Sequence, residues 1–140
     1  YEITAADYSE PALAVAVKNA AIHHADINFI QSDLFDDIRG KFDLIVCNPP
    51  YVRTTDIGVE DKWTLKEPRM ALDGGIDGLY YYRRILNEAK KHLRPNAMII
   101  FEIGYDQAEA LEEIALENNY HSVKVYKDLA NRDRVVTIRV

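Results

Sequence analysis

Apolar and polar positions alternate along this chain in blocks that switch between two periods. Tyr1 to Asp7 reads as a short strand ending in an acid. Ser9 then offers a helix N-cap and Pro11 sits in the tolerated first turn. Leu13, Ala16, Val17 and Ala20 recur at helical spacing, which predicts a helix over about residues 10 to 23. Ile27 to Gln31 reads as strand. Phe42 to Cys47 forms a nearly continuous apolar run, the pattern of a parallel strand covered on both faces. From Leu79 to Leu93 the positions Tyr82, Ile85, Leu86, Ala89 and Leu93 define an amphipathic helix, ended by Arg94-Pro95-Asn96. A buried strand is predicted from Ala97 to Ile103 and a helix from about Asp106 to Glu117. Two strands, about Ser122 to Tyr126 and Arg134 to Val140, complete the set and are joined by Lys127 to Asp133.

The order β-α-β-β-α-β-α-β-β implies an α/β fold, with a mainly parallel sheet and a terminal antiparallel hairpin. Between Val52 and Gly78 no period stands out; this segment carries Trp63, Glu67-Pro68-Arg69 and the glycines Gly74, Gly75 and Gly78. A loop of that length inside a compact domain is functional or mobile. Its 140 residues fit one domain with a sizeable core. Lys and Arg number 17 against 23 Asp and Glu, a net charge of −6, which argues against broad binding to a nucleic-acid backbone. Cys47 is the only cysteine, which rules out an intrachain disulfide and fits a reducing, cytoplasmic setting. No membrane-length apolar run occurs in the sequence.

The candidate chemistry lies at strand ends. Asn48-Pro49-Pro50-Tyr51 follows the apolar run directly. Two prolines fix φ near −65° and hold the residue before each extended, so the Asn48 amide and Tyr51 ring have little freedom. Such a turn suits a reaction that needs placement more than a strong acid or base. An amide or exocyclic amine nitrogen is a poor nucleophile because its lone pair is delocalised. If the Asn48 side-chain oxygen and the Pro49 carbonyl accept its two N–H bonds, they orient it and stabilise developing positive charge. Tyr51 can pack on the substrate's planar face. Asp7 and Asp33 both stand where a strand gives way to a connection, the edge on which open α/β sheets bind ligands. Each alone reads as a turn or capping Asp; with the tetrapeptide, the pair reads as a ligand site in which an acid accepts from ribose hydroxyls, with Leu34 able to flank an adenine and Phe35 better read as core.

At this point the chain resembles the HemK/PrmC family of S-adenosylmethionine-dependent methyltransferases, which modify the glutamine of the Gly-Gly-Gln motif of peptide-chain release factors at N5. The carriers are Asp7-Tyr8-Ser9-Glu10-Pro11-Ala12-Leu13, Gln31-Ser32-Asp33-Leu34-Phe35 and Phe42 to Tyr51. Glu67 to Gly75 with Asp77-Gly78-Leu79, Glu102 to Gln107, and Lys127-Asp128-Leu129 with Arg132-Asp133-Arg134 add to them. The resemblance implies a Rossmann-like class I methyltransferase fold with S-adenosylmethionine as cofactor and a release factor as partner. Asp7 would bind the cofactor ribose, Asp33 and Leu34 would border adenine, and Asn48 would adjoin the cofactor. Asn48, Pro49, Pro50 and Tyr51 would hold the target glutamine, with Asn48, Pro49 and Tyr51 as the catalytic set. No metal is implied.

The family's first strand and glycine-rich loop have no counterpart here, so residues 1–140 read as a partial catalytic domain, the carboxyl-terminal part of a methyltransferase. Loss of a central strand from the usual 3-2-1-4-5-7-6 order would expose ladder edges near residues 3 and 45 and favour self-association. It would also weaken cofactor binding and turnover by the chain alone. Two other readings stay open: an adenine-N6 nucleic-acid methyltransferase, which shares the tetrapeptide, and a noncatalytic binding or assembly fragment. His23-His24 with Asp26 reads as solvated, Asp73 to Gly78 as no calcium loop and Cys47 as a small strand residue. Tyr80-Tyr81-Tyr82 places one ring in the core. Glu67, Arg69 and Glu102 are either substrate-loop partners or members of ion pairs and caps.

Overall fold

The computed structural model describes residues 1–59 and 66–140; Trp63 lies outside the described residues. The chain forms two compact units, Tyr1–Gly40 and Lys41–Val140. In the first, β1 (Thr4–Asp7) pairs in parallel with β2 (Asn28–Gln31), and α1 (Glu10–Ile22) connects them. Ser9 caps α1 as its sequence predicts, its Oγ accepting the Ala12 N–H at 3.3 Å, and His23 and His24 close the helix, His24 with φ 52°. No α1 residue is buried, and Val15, Val17 and Ile22 are exposed, so the predicted apolar face is only partly covered. The connection after β2 is organised by buried Ser32, whose hydroxyl donates to the Leu34 carbonyl and accepts the Asp37 N–H, both at 3.0 Å.

The second unit holds the core. Its strands are β3 (Phe42–Cys47), β4 (Leu93–Glu102), β5 (Ser122–Lys127) and β6 (Asp133–Arg139), in the spatial order β3-β4-β6-β5. β3 and β4 run parallel; β6 is antiparallel to both β4 and β5. Within each unit the neighbouring strands are paired in a way that the 3-2-1-4-5-7-6 order also contains. On β4, Ala97, Ile99 and Phe101 alternate onto one buried face, which Ile103 just beyond the strand continues. There α2 (Tyr80–Ala89) buries Tyr82, Ile85, Leu86 and Ala89, and α3 (Ala108–Glu117) buries Leu111, Ile114 and Ala115 beside it. Tyr82 meets Phe101 edge to face at 5.2 Å, and Tyr120 donates to the Leu86 carbonyl at 3.1 Å.

Two features depart from the sequence pattern. β4 begins at Leu93, where a helix was expected to persist. The α-helix stops at Ala89, and Lys90–His92 tighten into a 3₁₀ turn that releases Leu93 into extended backbone. Pro95 disfavours helix at Arg94, and Leu93 pairs with Phe42, so strand geometry wins. β3 is not covered on both faces: Ile45 and Cys47 share the helix-covered face, whereas Leu44 is 49% and Val46 69% exposed. Among the described residues of its unit, β3 has one ladder neighbour, β4.

The Tyr82 hydroxyl, fully buried, donates to the Glu102 carbonyl at 2.8 Å. Tyr82→Phe should cost about 1 kcal/mol, because it leaves that carbonyl short of a donor while packing is kept. Urea unfolding should show a lower midpoint at unchanged slope; an unchanged midpoint would contradict the bond's contribution.

Candidate functional site

In the first unit the candidate residues gather at the carboxyl end of the β1–β2 pair. Asp7 ends β1 and is exposed; one carboxylate oxygen accepts the Ser9 N–H at 2.7 Å, and its backbone carbonyl accepts from Ser32 at 3.1 Å. The other carboxylate oxygen accepts no bond among the described residues, so it is available to a diol. Asp33 and Leu34 are half-buried in the Ser32-organised turn, with Leu34 at φ 52° and the Asp33 carbonyl accepting from Asp36 at 3.2 Å. A fixed carboxylate facing solvent beside a rigid turn fits the adenosine half of a nucleoside cofactor.

In the second unit, β3 delivers Asn48 to its carboxyl end. Asn48 is exposed, and its side-chain amide bonds no other described residue. Pro49 is buried; Pro50 and Tyr51 are half-buried. The Tyr51 hydroxyl donates to Glu102 Oε1 at 3.4 Å. Burial and the Glu102 charge raise its phenol above the ordinary value, so the ring is neutral near pH 7. Burial likewise pushes the Cys47 thiol up to about 11. Neither group is a base at neutral pH. What the site presents is an unengaged amide on a proline-locked turn beside a neutral aromatic ring.

The backbone behind this face is where the structure goes beyond the sequence reading. Residues 72–75 pair with 52–54: the Val52 N–H donates to Leu72 at 2.9 Å, Gly74 to Val52 at 2.8 Å and Thr54 to Gly75 at 3.0 Å. A Cβ on Gly74 would stand 2.8 Å from both the Pro50 oxygen and the Tyr51 Cα. A Cβ on Gly78, at φ +75°, would overlap the Tyr51 carbonyl oxygen and stand 2.5 Å from Gln107 Nε2. The glycines therefore seat the backbone of the tetrapeptide. Gln107, 3% exposed, completes the seat: its Nε2 donates to the carbonyls of Tyr51 at 3.0 Å and Gly78 at 3.2 Å, and its Oε1 accepts from Gly104 at 2.9 Å.

Of the other candidates, Arg69 forms an ion pair with Asp73 at 3.2 Å, and Asp73 also accepts from Thr54 Oγ1 at 2.6 Å and the Gly75 N–H at 3.1 Å. These bonds hold the Asp73 carboxyl below its usual range and make it a staple of the loop. Glu102 faces Tyr51, and Glu67 is exposed. Tyr82 is in the core while Tyr80 is half exposed. Sequence reasoning assigned no role to Gln107 or Gly78; the signal was the glycine spacing inside a segment without period.

The family Methyltransferase small domain matches residues 1–67. The release factor glutamine methyltransferase of Lactococcus lactis subsp. lactis is 37% identical over 141 residues, covering 99% of this chain and 52% of that protein. Over nearly its whole length the chain is similar in sequence to release factor glutamine methyltransferases. It spans about half the length of the curated relatives it matches. Among solved structures, a methyltransferase from Pyrococcus furiosus aligns with a TM-score of 0.75 at 19% identity, over 99% of this chain and 62% of that one. Another methyltransferase, complexed with SAH, aligns at 0.62 with 14% identity, over 99% of this chain and 39% of that one. The fold is that of the class I S-adenosylmethionine-dependent methyltransferases, as the strand order and the motifs implied.

Gly78→Ala should destabilise the protein by several kcal/mol, since left-handed backbone strain of about 1–2 kcal/mol adds to the overlap with Tyr51. Gly40→Ala, also at positive φ but with nothing within 4 Å of the added Cβ, should show the backbone cost alone. Equal losses of thermal stability would contradict the seat. The raised Cys47 pKa leaves roughly one thiolate per thousand at pH 8. Alkylation by iodoacetamide should be slow there and accelerate about tenfold per pH unit up to about 11. A rate that levels off near pH 8.5 would show an unshifted thiol.

Proposed function

We propose that residues 1–140 are a partial catalytic domain of a methyltransferase acting on the side-chain amide nitrogen of the Gly-Gly-Gln glutamine of peptide-chain release factors. One observation carries this reading: the exposed Asn48 amide, unengaged by the described residues, on a backbone held by Gln107 and two glycines. The likeness to release factor glutamine methyltransferases over 99% of the chain supports it.

The residues present fit S-adenosylmethionine. Asp7, through its unengaged carboxylate oxygen, would accept from the ribose hydroxyls, and Asp33 with Leu34 would border the adenine. When bound, the cofactor supplies an electrophilic methyl group on a sulfonium. Asn48, through its side-chain oxygen, and Pro49, through its carbonyl, would accept the two N–H bonds of the target glutamine amide. That arrangement would fix the orientation of the nitrogen and stabilise the positive charge it gains. Pro50 fixes the turn, and Tyr51, a neutral ring, would cover the planar amide. No side-chain base acts in the transition state; the surplus proton leaves the nitrogen afterwards, once the amide has become acidic.

A translation factor as substrate fits a cytoplasmic enzyme. No helix among the described residues is long and apolar enough to cross a membrane. The net charge of −6 favours a protein substrate over nucleic acid.

The test uses the full-length protein with release factor, DNA and RNA as alternative acceptors. Methylation of the release factor glutamine alone is expected, with Asn48→Ala lowering kcat by about 10²–10³-fold. Asp7→Ala should weaken S-adenosylmethionine binding in calorimetry, by about tenfold or more for a lost charge-assisted pair of bonds. Methylation of adenine in nucleic acid instead of glutamine would overturn the assignment.

A further inference from the structure

We infer that Gln107 is the positioning residue of the tetrapeptide site: one buried amide that fixes the Tyr51 carbonyl and thereby the direction in which Asn48 and Pro49 present their acceptors. It rests on the proposed function for its kinetic consequence and on geometry alone for its structural one.

Gln107 caps α3, far in sequence from the turn it holds, and joins three segments. They are the exit of β3 at Tyr51, the glycine loop before α2 at Gly78, and the β4–α3 connection at Gly104. Two carbonyls need donors, and one N–H needs an acceptor, within the reach of a single side chain. Among the side chains only an amide supplies two donors at one end and an acceptor at the other while uncharged. A carboxylate would turn lone pairs toward both carbonyls; an aliphatic chain would leave all three groups unpaired in a buried place.

The surrounding glycines are cut to this side chain. A Cβ on Gly78 would stand 2.5 Å from Nε2, and one on Gly104 would stand 2.9 Å from Oε1 and 3.1 Å from Cδ. Tyr51 is three residues from Asn48, and the two prolines between them transmit its position because their φ angles are fixed. Gln107 itself is 3% exposed and does not reach solvent, so it acts through the turn and touches no substrate.

Gln107→Glu in the full-length protein keeps the shape and the acceptor but loses both donors. Expected is a fall in kcat of roughly 30–100-fold, the scale of a small misplacement of reacting groups. KM for release factor and Kd for S-adenosylmethionine should stay within about threefold, with full binding stoichiometry. Protonation restores one O–H donor, so the ratio of variant to wild-type kcat should climb as pH falls. A kcat within twofold of wild type, or a loss matched by reduced binding stoichiometry, would overturn the inference. Gly104→Ala, which presses on the acceptor end, should give a smaller loss of the same kind and covers the case in which the first variant fails to fold. In parallel, the side-chain amide resonances of Asn48 and the ring resonances of Tyr51 should move in either variant. Unmoved resonances overturn the positioning role even if release factor is not the substrate, and absent methylation by the wild type overturns only the functional reading.

Discussion

A peptide carbonyl withdrawn from water has to find a donor, and at Tyr51 that donor is the side chain of a residue 56 positions away. The turn leaving β3 cannot satisfy itself. Its prolines carry no N–H, and their fixed φ prevents the backbone from folding back on itself. So the chain brings in partners: residues 72–75 supply ladder-like bonds to 52–54, and Gln107 supplies the amide. Glycines at 74, 78 and 104 stand around this support where an added Cβ would collide.

The two units show how unevenly burial is shared. In Lys41–Val140 one face of β4 and the faces of α2 and α3 exclude water from Tyr82, Phe101, Ile99, Leu111 and their neighbours. In Tyr1–Gly40 only Ser32 and Ile38 are buried. The first unit is held by hydrogen bonds at its loop: Asp7 to Ser9, and Ser32 to Leu34 and Asp37. A polar network of this kind fixes direction well but adds little stability, since each such bond nets about 1 kcal/mol.

Much of the fold was legible in the sequence because the signals were local. Ser9 and Pro11 announce α1, and the spacing of Tyr82, Ile85, Leu86 and Ala89 announces α2. At Leu93 the signal failed for a physical reason. An apolar residue satisfies both the last turn of a helix and the first buried place of a strand, and the choice fell to pairing with Phe42. The tetrapeptide's place at a strand end was readable for the same local reason. Its support was not. A lone glutamine ahead of a helix looks like a surface residue, and nothing in 72–75 reveals that it pairs with 52–54. Such contacts are set by tertiary approach, which leaves glycines as its only trace.

The electrostatics of the second unit favour one chemical style. Tyr51 and Cys47, the ionisable groups at the end of β3, are both pushed upward by burial, and Tyr51 further by Glu102. Raised values in a phenol and a thiol mean neutral groups at physiological pH, so neither can draw a proton from a substrate. An amide nitrogen does not need that help before alkylation, because its proton becomes acidic only once the new bond has formed. It needs its lone pair aimed and its N–H dipoles met. On the proposed reading, Asn48 and the Pro49 carbonyl in a proline-locked turn would meet those two needs, and the glycines and Gln107 behind them hold the backbone of the turn.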